Sequence, residues 1–103
     1  CQRSAGAPMV QWMLVDEAAL EVSGEPASFE GSPGAVRSFC ARCGTGLFYR
    51  NAAIFPGQVD VQAATLDDPG SVAAPAYQVQ RADARDWARR LDSIPAFDGF
   101  PAA

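Results

Sequence analysis

Apolar and polar positions alternate in short bursts along this chain, and one stretch near its end has a helical spacing instead. The clearest burst is Gln58-Val59-Asp60-Val61-Gln62-Ala63, with Val59, Val61 and Ala63 on one side and the polar residues on the other. Alternate residues of a strand point to opposite faces, so this segment predicts a half-buried strand with its valines inward. Val36-Arg37-Ser38-Phe39-Cys40 and Leu47-Phe48-Tyr49-Arg50 predict two more strands, Ala27-Ser28-Phe29-Glu30 a fourth, and Leu20-Glu21-Val22-Ser23, ended by Gly24, a fifth. Met9 to Val15 is nearly all apolar, which suits a strand covered on both faces. Tyr77-Gln78-Val79-Gln80 adds a last short strand. Asp16 to Leu20 is long enough for one turn only, with Asp16 as its cap. Ser32-Pro33-Gly34 and Phe55-Pro56-Gly57 are turn signals, and Leu66-Asp67-Asp68-Pro69-Gly70 opens a loop that runs to Pro75.

From Asp83 the pattern changes. Ala84, Trp87, Ala88 and Leu91 recur at helical spacing, with Arg85, Asp86, Arg89 and Arg90 mostly elsewhere, which predicts a short amphipathic helix capped by Asp83 and anchored by Trp87. The tail Ile94-Pro95-Ala96-Phe97-Asp98-Gly99-Phe100-Pro101 reads as a strap across the core, because a small domain needs its apolar side chains there. The pattern as a whole predicts a mainly β protein of short antiparallel sheets with one short C-terminal helix, folded as a single domain over 1–103.

Composition narrows the partners. A chain of 103 residues supports one domain with a modest core. Its net charge of −4 and the lack of a basic stripe argue against binding nucleic acid or an anionic membrane surface. Arg85, Arg89 and Arg90 lie among Asp83 and Asp86 and read as a solvated helix face. No apolar run approaches the ~20 residues of a membrane span and no signal peptide is visible, while three cysteines do not make a secreted disulfide framework. These features together predict a soluble cytoplasmic protein. The chain opens on Cys1 rather than methionine, so the expectation is a processed start or a piece of a longer sequence.

The candidate chemistry lies in Phe39-Cys40-Ala41-Arg42-Cys43-Gly44-Thr45-Gly46, a C-x2-C pair between two predicted strands, with glycines that let the backbone curl. Three readings compete. A thioredoxin-type redox pair normally opens a helix, whereas Gly44 to Tyr49 looks like a turn into a strand. Two ordinary buried or disulfide-linked cysteines are a second reading. The favoured third is a zinc knuckle, half of a tetrahedral site, in a zinc-ribbon-like hairpin. The chain has no histidine and only one other cysteine, Cys1, so the four ligands are not complete within it. Without histidine, proton transfer would fall to water, to a substrate thiol or to a carboxylate, for which Asp60, Asp67 and Asp68 are candidates.

The order Cys1-Gln2-Arg3-Ser4-Ala5-Gly6-Ala7-Pro8, then Phe39-Cys40-Ala41-Arg42-Cys43-Gly44-Thr45, then Leu66-Asp67-Asp68-Pro69, resembles the glutathione-dependent formaldehyde-activating enzyme family, which includes centromere protein V. The resemblance runs from Cys1 to about Pro101 and covers the C-terminal three-quarters of the family domain. It implies a β-tent-like fold and zinc as the cofactor. Cys40 and Cys43 match the pair that holds a structural zinc, and Cys1 matches the last cysteine of a second, catalytic-type cluster. Against the family pattern, the early C-x-C and the first two cysteines of the second cluster are missing, as is the histidine that many relatives have near Ala76-Tyr77-Gln78-Val79, and the segment from Arg81 to Trp87 is slightly longer. By this resemblance the expected activity is that of a carbon–sulfur lyase on an adduct of glutathione, or another thiol, with an aldehyde. The competing expectation is a non-catalytic binding or scaffold domain with a structural zinc knuckle. An oligomer is compatible with either.

Overall fold

The computed structural model describes residues 1–101. Its centre is the strand with the strictest alternation. We number the strands β1 (Trp12–Asp16), β2 (Ala27–Ser32), β3 (Ala35–Phe39), β4 (Gly46–Arg50) and β5 (Gln58–Gln62). They form one antiparallel sheet in the order β1-β5-β4-β3-β2, so the first strand adds to the sheet beside the last. The expected mainly β fold is what the chain adopts, with its strands gathered in one open sheet.

Directly paired residues of antiparallel strands share a face, so the register sorts the side chains. Met13 pairs with Val61 and Val15 with Val59; Phe48 also pairs with Val61, and Ser38 with Phe48. This face holds the buried core: Val59 and Ala63 are fully buried and Val61 and Ser38 nearly so. Ser38 escapes the penalty of a buried hydroxyl because its Oγ lies 3.2 Å from Oγ of Ser28 across the β2–β3 ladder. The opposite face carries one row across all five strands, Leu14, Asp60, Tyr49, Arg37 and Phe29. Leu14 is 41% and Phe29 63% exposed, so this side is open, and β1 is not covered on both faces as its composition suggested.

Two compact units are distinguished: Val10–Pro75, which holds the sheet, and Cys1–Met9 together with the segment from Ala76 onward. In the second unit the pattern-based expectations give way. Tyr77 to Val79 form no strand; both Tyr77 and Val79 are exposed, and Gln80 adopts a left-handed conformation at φ 56° that ends any extended run. The helical stretch is 3-10 rather than α, split into Arg81–Asp83 and Asp86–Ser93, with Ala84 and Arg85 extended between them. Asp83 therefore belongs to the earlier turn, and Arg85, not Asp83, stands at the start of the longer one. A 3-10 turn brings every third residue into line, so the i, i+3, i+4, i+7 set no longer makes one stripe, and Trp87 and Leu91 stay about half exposed. The tail is not a strap: Phe97 and Phe100 are exposed. In the sheet unit, Leu20 to Ser23 is not a strand either; it stays outside the sheet, whose edge strands are β1 and β2.

Candidate functional site

The C-x2-C pair lies on the turn between β3 and β4. Cys40 N donates to Thr45 O and Gly44 N to Cys40 O, each at 2.8 Å, which closes the turn on itself. Gly44 takes φ +79°, a conformation that costs an L-residue roughly 1–2 kcal/mol, and so permits the curl. Gly46 serves a different purpose: a Cβ there would lie 2.4 Å from Nε2 of Gln62, so its absence lets the β5 side chain close over the base of the turn. A β-bulge between Ser38 and Phe39 sets the offset between the two strands at this point.

All three cysteines are thiols. Cys43 is exposed, and its Sγ lies 3.1 Å from Thr45 Oγ1. That hydroxyl, together with the Thr45 backbone and the Cys40 thiol, holds the Cys43 thiol below its ordinary value, because hydrogen bonds to sulfur stabilise the thiolate. The pair thus offers two sulfurs on one curled turn, one of them already biased toward the anion that a metal binds. Cys1, in the other unit, is exposed at the start of the α-helical turn Gln2–Ala5, which is closed by Ala5 N donating to Cys1 O at 2.9 Å.

The donor set fits half of a tetrahedral zinc site. Two thiols on one turn are what such a knuckle supplies, but among the described residues no three His, Cys, Asp or Glu side chains gather into a group able to hold a metal ion. The described residues therefore complete neither of the two sites that the resemblance implies.

Beside Cys40 runs a groove of about 350 Å³. Val22, Leu47 and Phe48 supply its apolar lining and Glu21 and Glu25 its charge. The irregular run after Leu20 forms this wall, so a segment that reads as a strand helps to make a site instead.

The open face of the sheet holds groups that alternation alone did not single out. The Trp12 and Tyr49 rings lie 6.2 Å apart at 57°, and the Arg37 guanidinium sits 5.0 Å over the Tyr49 ring, a cation–π contact. Asn51 Nδ2 donates to the Tyr49 hydroxyl at 3.2 Å. Asp60, paired between Leu14 and Tyr49, is half-buried, and burial pushes its carboxyl above the ordinary value. The signal for this cluster was present in the sequence as the polar half of each alternating strand, but only the register places Asp60, Tyr49 and Arg37 in one row. Asp67 and Asp68 are exposed beside the 3-10 turn Pro69–Ser71, as a solvated turn requires.

No described helix is long and apolar enough to cross a membrane. No curated protein and no solved structure matches the chain. A protein-family match, in contrast, covers residues 1–82, including Cys1, the whole β3–β4 knuckle and the loop at Leu66 to Pro69. By that match the chain belongs to the glutathione-dependent formaldehyde-activating enzyme family.

Proposed function

We propose that the chain is a carbon–sulfur lyase-like protein that handles the adduct of glutathione, or a related small thiol, with formaldehyde or another aldehyde. The observation that carries this reading is the thiol pair on the β3–β4 turn with an apolar, carboxylate-edged groove directly at Cys40, all within the residues matched to the family. In the reaction R–S–CH₂OH → R–SH + HCHO, the C–S bond breaks with its electron pair going to sulfur. The hydroxyl loses its proton as the carbonyl forms, and sulfur gains one. With no histidine in the chain, that proton passes through water, the substrate thiol or a carboxyl. Asp60, a carboxyl raised by burial, lies on the open face of the sheet, whereas Glu21 and Glu25 edge the groove itself.

Cys40 and Cys43 serve as two zinc ligands, with Cys1 as a ligand of a second site, and the remaining donors come from outside the described residues. A zinc ion bound by thiolates supplies folding energy at a structural site and Lewis acidity at an open one. The family match runs through both compact units, which supports reading 1–103 as one working domain. A cytoplasmic location suits thiols that must stay reduced.

Exchange spectroscopy on glutathione mixed with labelled formaldehyde tests the reading. With the remaining zinc donors present, the zinc-loaded protein should accelerate interconversion of adduct and free thiol, and Cys40→Ser should reduce the gain. Exchange at the uncatalysed rate with zinc present would leave the scaffold alternative. The open aromatic face at Trp12, Tyr49 and Phe29 favours that alternative as a protein-binding surface.

A further inference from the structure

A second groove, of about 530 Å³, lies wholly within the unit made of the first nine residues and the C-terminal segment. Its lining includes two cations, Arg3 and Arg85, with Gln2, Gly6, Pro8 and the indole of Trp87. The chain is acidic overall, yet two of its eight basic residues face this one groove. Neither is ion-paired among the described residues, where the ion pair present is Arg50 with Glu17. Trp87 is 48% exposed and lines the same groove as the two arginines. The groove has a fixed frame on both sides. Gln2 Nε2 donates to Asp83 O at 2.8 Å, joining the N-terminal turn to the C-terminal segment, and Gly6 at φ 63° ends that turn in a left-handed cap.

Guanidinium groups bind carboxylates through two parallel N–H···O bonds, and an exposed indole takes an apolar or amide-bearing body beside them. The volume is within the range of small-molecule sites, about 300–1,000 Å³. We propose that this groove is the anion subsite for the thiol substrate, with Arg3 and Arg85 holding its carboxylates and Trp87 packing against its peptide body. The proposal rests on the reading that the substrate is a glutathione-type thiol, a short peptide bearing two carboxylates. Gln2 and Arg3 follow Cys1 directly in the chain, which puts the subsite next to the cysteine assigned to the second metal site. Arg85 and Trp87 lie beyond the residues matched to the family, and Gln2 and Arg3 within them.

S-methylglutathione is the probe, because its capped sulfur cannot form the thiolate that binds zinc or adds to an aldehyde. Calorimetric titration of the full chain should show binding that weakens with salt. Arg3→Gln and Arg85→Gln should each lower affinity by about tenfold, the worth of one charge-assisted hydrogen bond, and the diethyl ester of the probe should not bind. In a ¹H–¹⁵N spectrum the Trp87 indole resonance should move on titration, with assignment by Trp87→Phe. No binding of the probe, the parent's affinity retained in both arginine variants, or an unmoved Trp87 signal overturns the subsite. Exchange catalysis measured on the same samples separates the two claims. Accelerated exchange with unchanged affinity in the variants rejects the subsite and leaves the lyase reading intact. Arginine-dependent probe binding without accelerated exchange upholds the subsite and rejects the lyase.

Discussion

Val61 is the position where the sheet can be challenged most directly. It is 5% exposed and faces Met13 on β1 and Phe48 on β4, so it joins three strands of the core at once. Three substitutions separate what it contributes. Val61→Ala removes two methylene equivalents at ~0.8 kcal/mol each, and with the cavity left behind should cost about 2–3 kcal/mol. Val61→Thr keeps the shape but buries a hydroxyl without a designed partner, at about 1–3 kcal/mol. Val61→Asp leaves a buried carboxylate with no counter-ion in that row, a cost on the order of 3–5 kcal/mol. Set against the ~5–15 kcal/mol of a typical domain, and a core whose buried apolar side chains are Val59, Val61 and Ala63 among the described residues, the aspartate should unfold much of the population at neutral pH. Its pH dependence has a definite sign. The buried carboxyl binds its proton more tightly when folded than when unfolded, so the variant should recover stability relative to the parent as pH falls. Urea denaturation followed by tryptophan fluorescence and far-UV circular dichroism, at neutral and mildly acidic pH, measures all three. The reasoning fails if Val61→Asp lies within about 1 kcal/mol of the parent at neutral pH, the range of an ordinary surface change, or if it costs no more than Val61→Ala.

Further consequences follow from the knuckle and the open face. Gly44→Ala should lower the urea midpoint by the equivalent of about 1–2 kcal/mol because of its positive φ, and a neutral result would mean that the turn relaxes without it. Alkylation of Cys43 by iodoacetamide, followed by mass spectrometry across pH, should show a midpoint below that of an ordinary cysteine. Thr45→Val should move that midpoint upward, and an unchanged profile would remove Thr45 as the cause. Burial raises the Asp60 carboxyl in the folded state, so the folded protein binds more protons than the unfolded chain between the ordinary aspartate value and the raised one. Stability should accordingly fall as pH rises through that window, and Asp60→Asn should flatten the slope. An asparagine variant with the parent's slope would contradict the assignment.

Several features of this protein needed nothing beyond the order of its residues. Alternation at Gln58 to Ala63 identified the inward side of β5, because a half-buried strand must place every second residue in the core, and Val59, Val61 and Ala63 are the buried apolar residues among those described. The knuckle was legible for a similar local reason. Two cysteines three apart, with Gly44 after them, allow few backbone paths, and the turn between β3 and β4 is one of them. Its neighbour, the groove at Cys40, was not legible, since the wall it needs comes from the residues after Leu20, whose alternation suggested a strand.

Alternation states which residues share a side but not which strand will lie next to it, and tertiary structure alone decided that. Leu20 to Ser23 and Tyr77 to Gln80 have the pattern of strands and remain irregular because backbone hydrogen bonds in a sheet require a neighbour, which local sequence does not supply. The spacing at Ala84 to Leu91 marked a helical segment, but the choice of 3-10 over α depends on small differences in packing, and with that choice Trp87 became part of a groove wall instead of a core anchor. The row Leu14, Asp60, Tyr49, Arg37 and Phe29 is the clearest case. Its members are spread from the first strand to the last, and only the register of four strand pairings sets a half-buried carboxyl, a tyrosine and a guanidinium side by side.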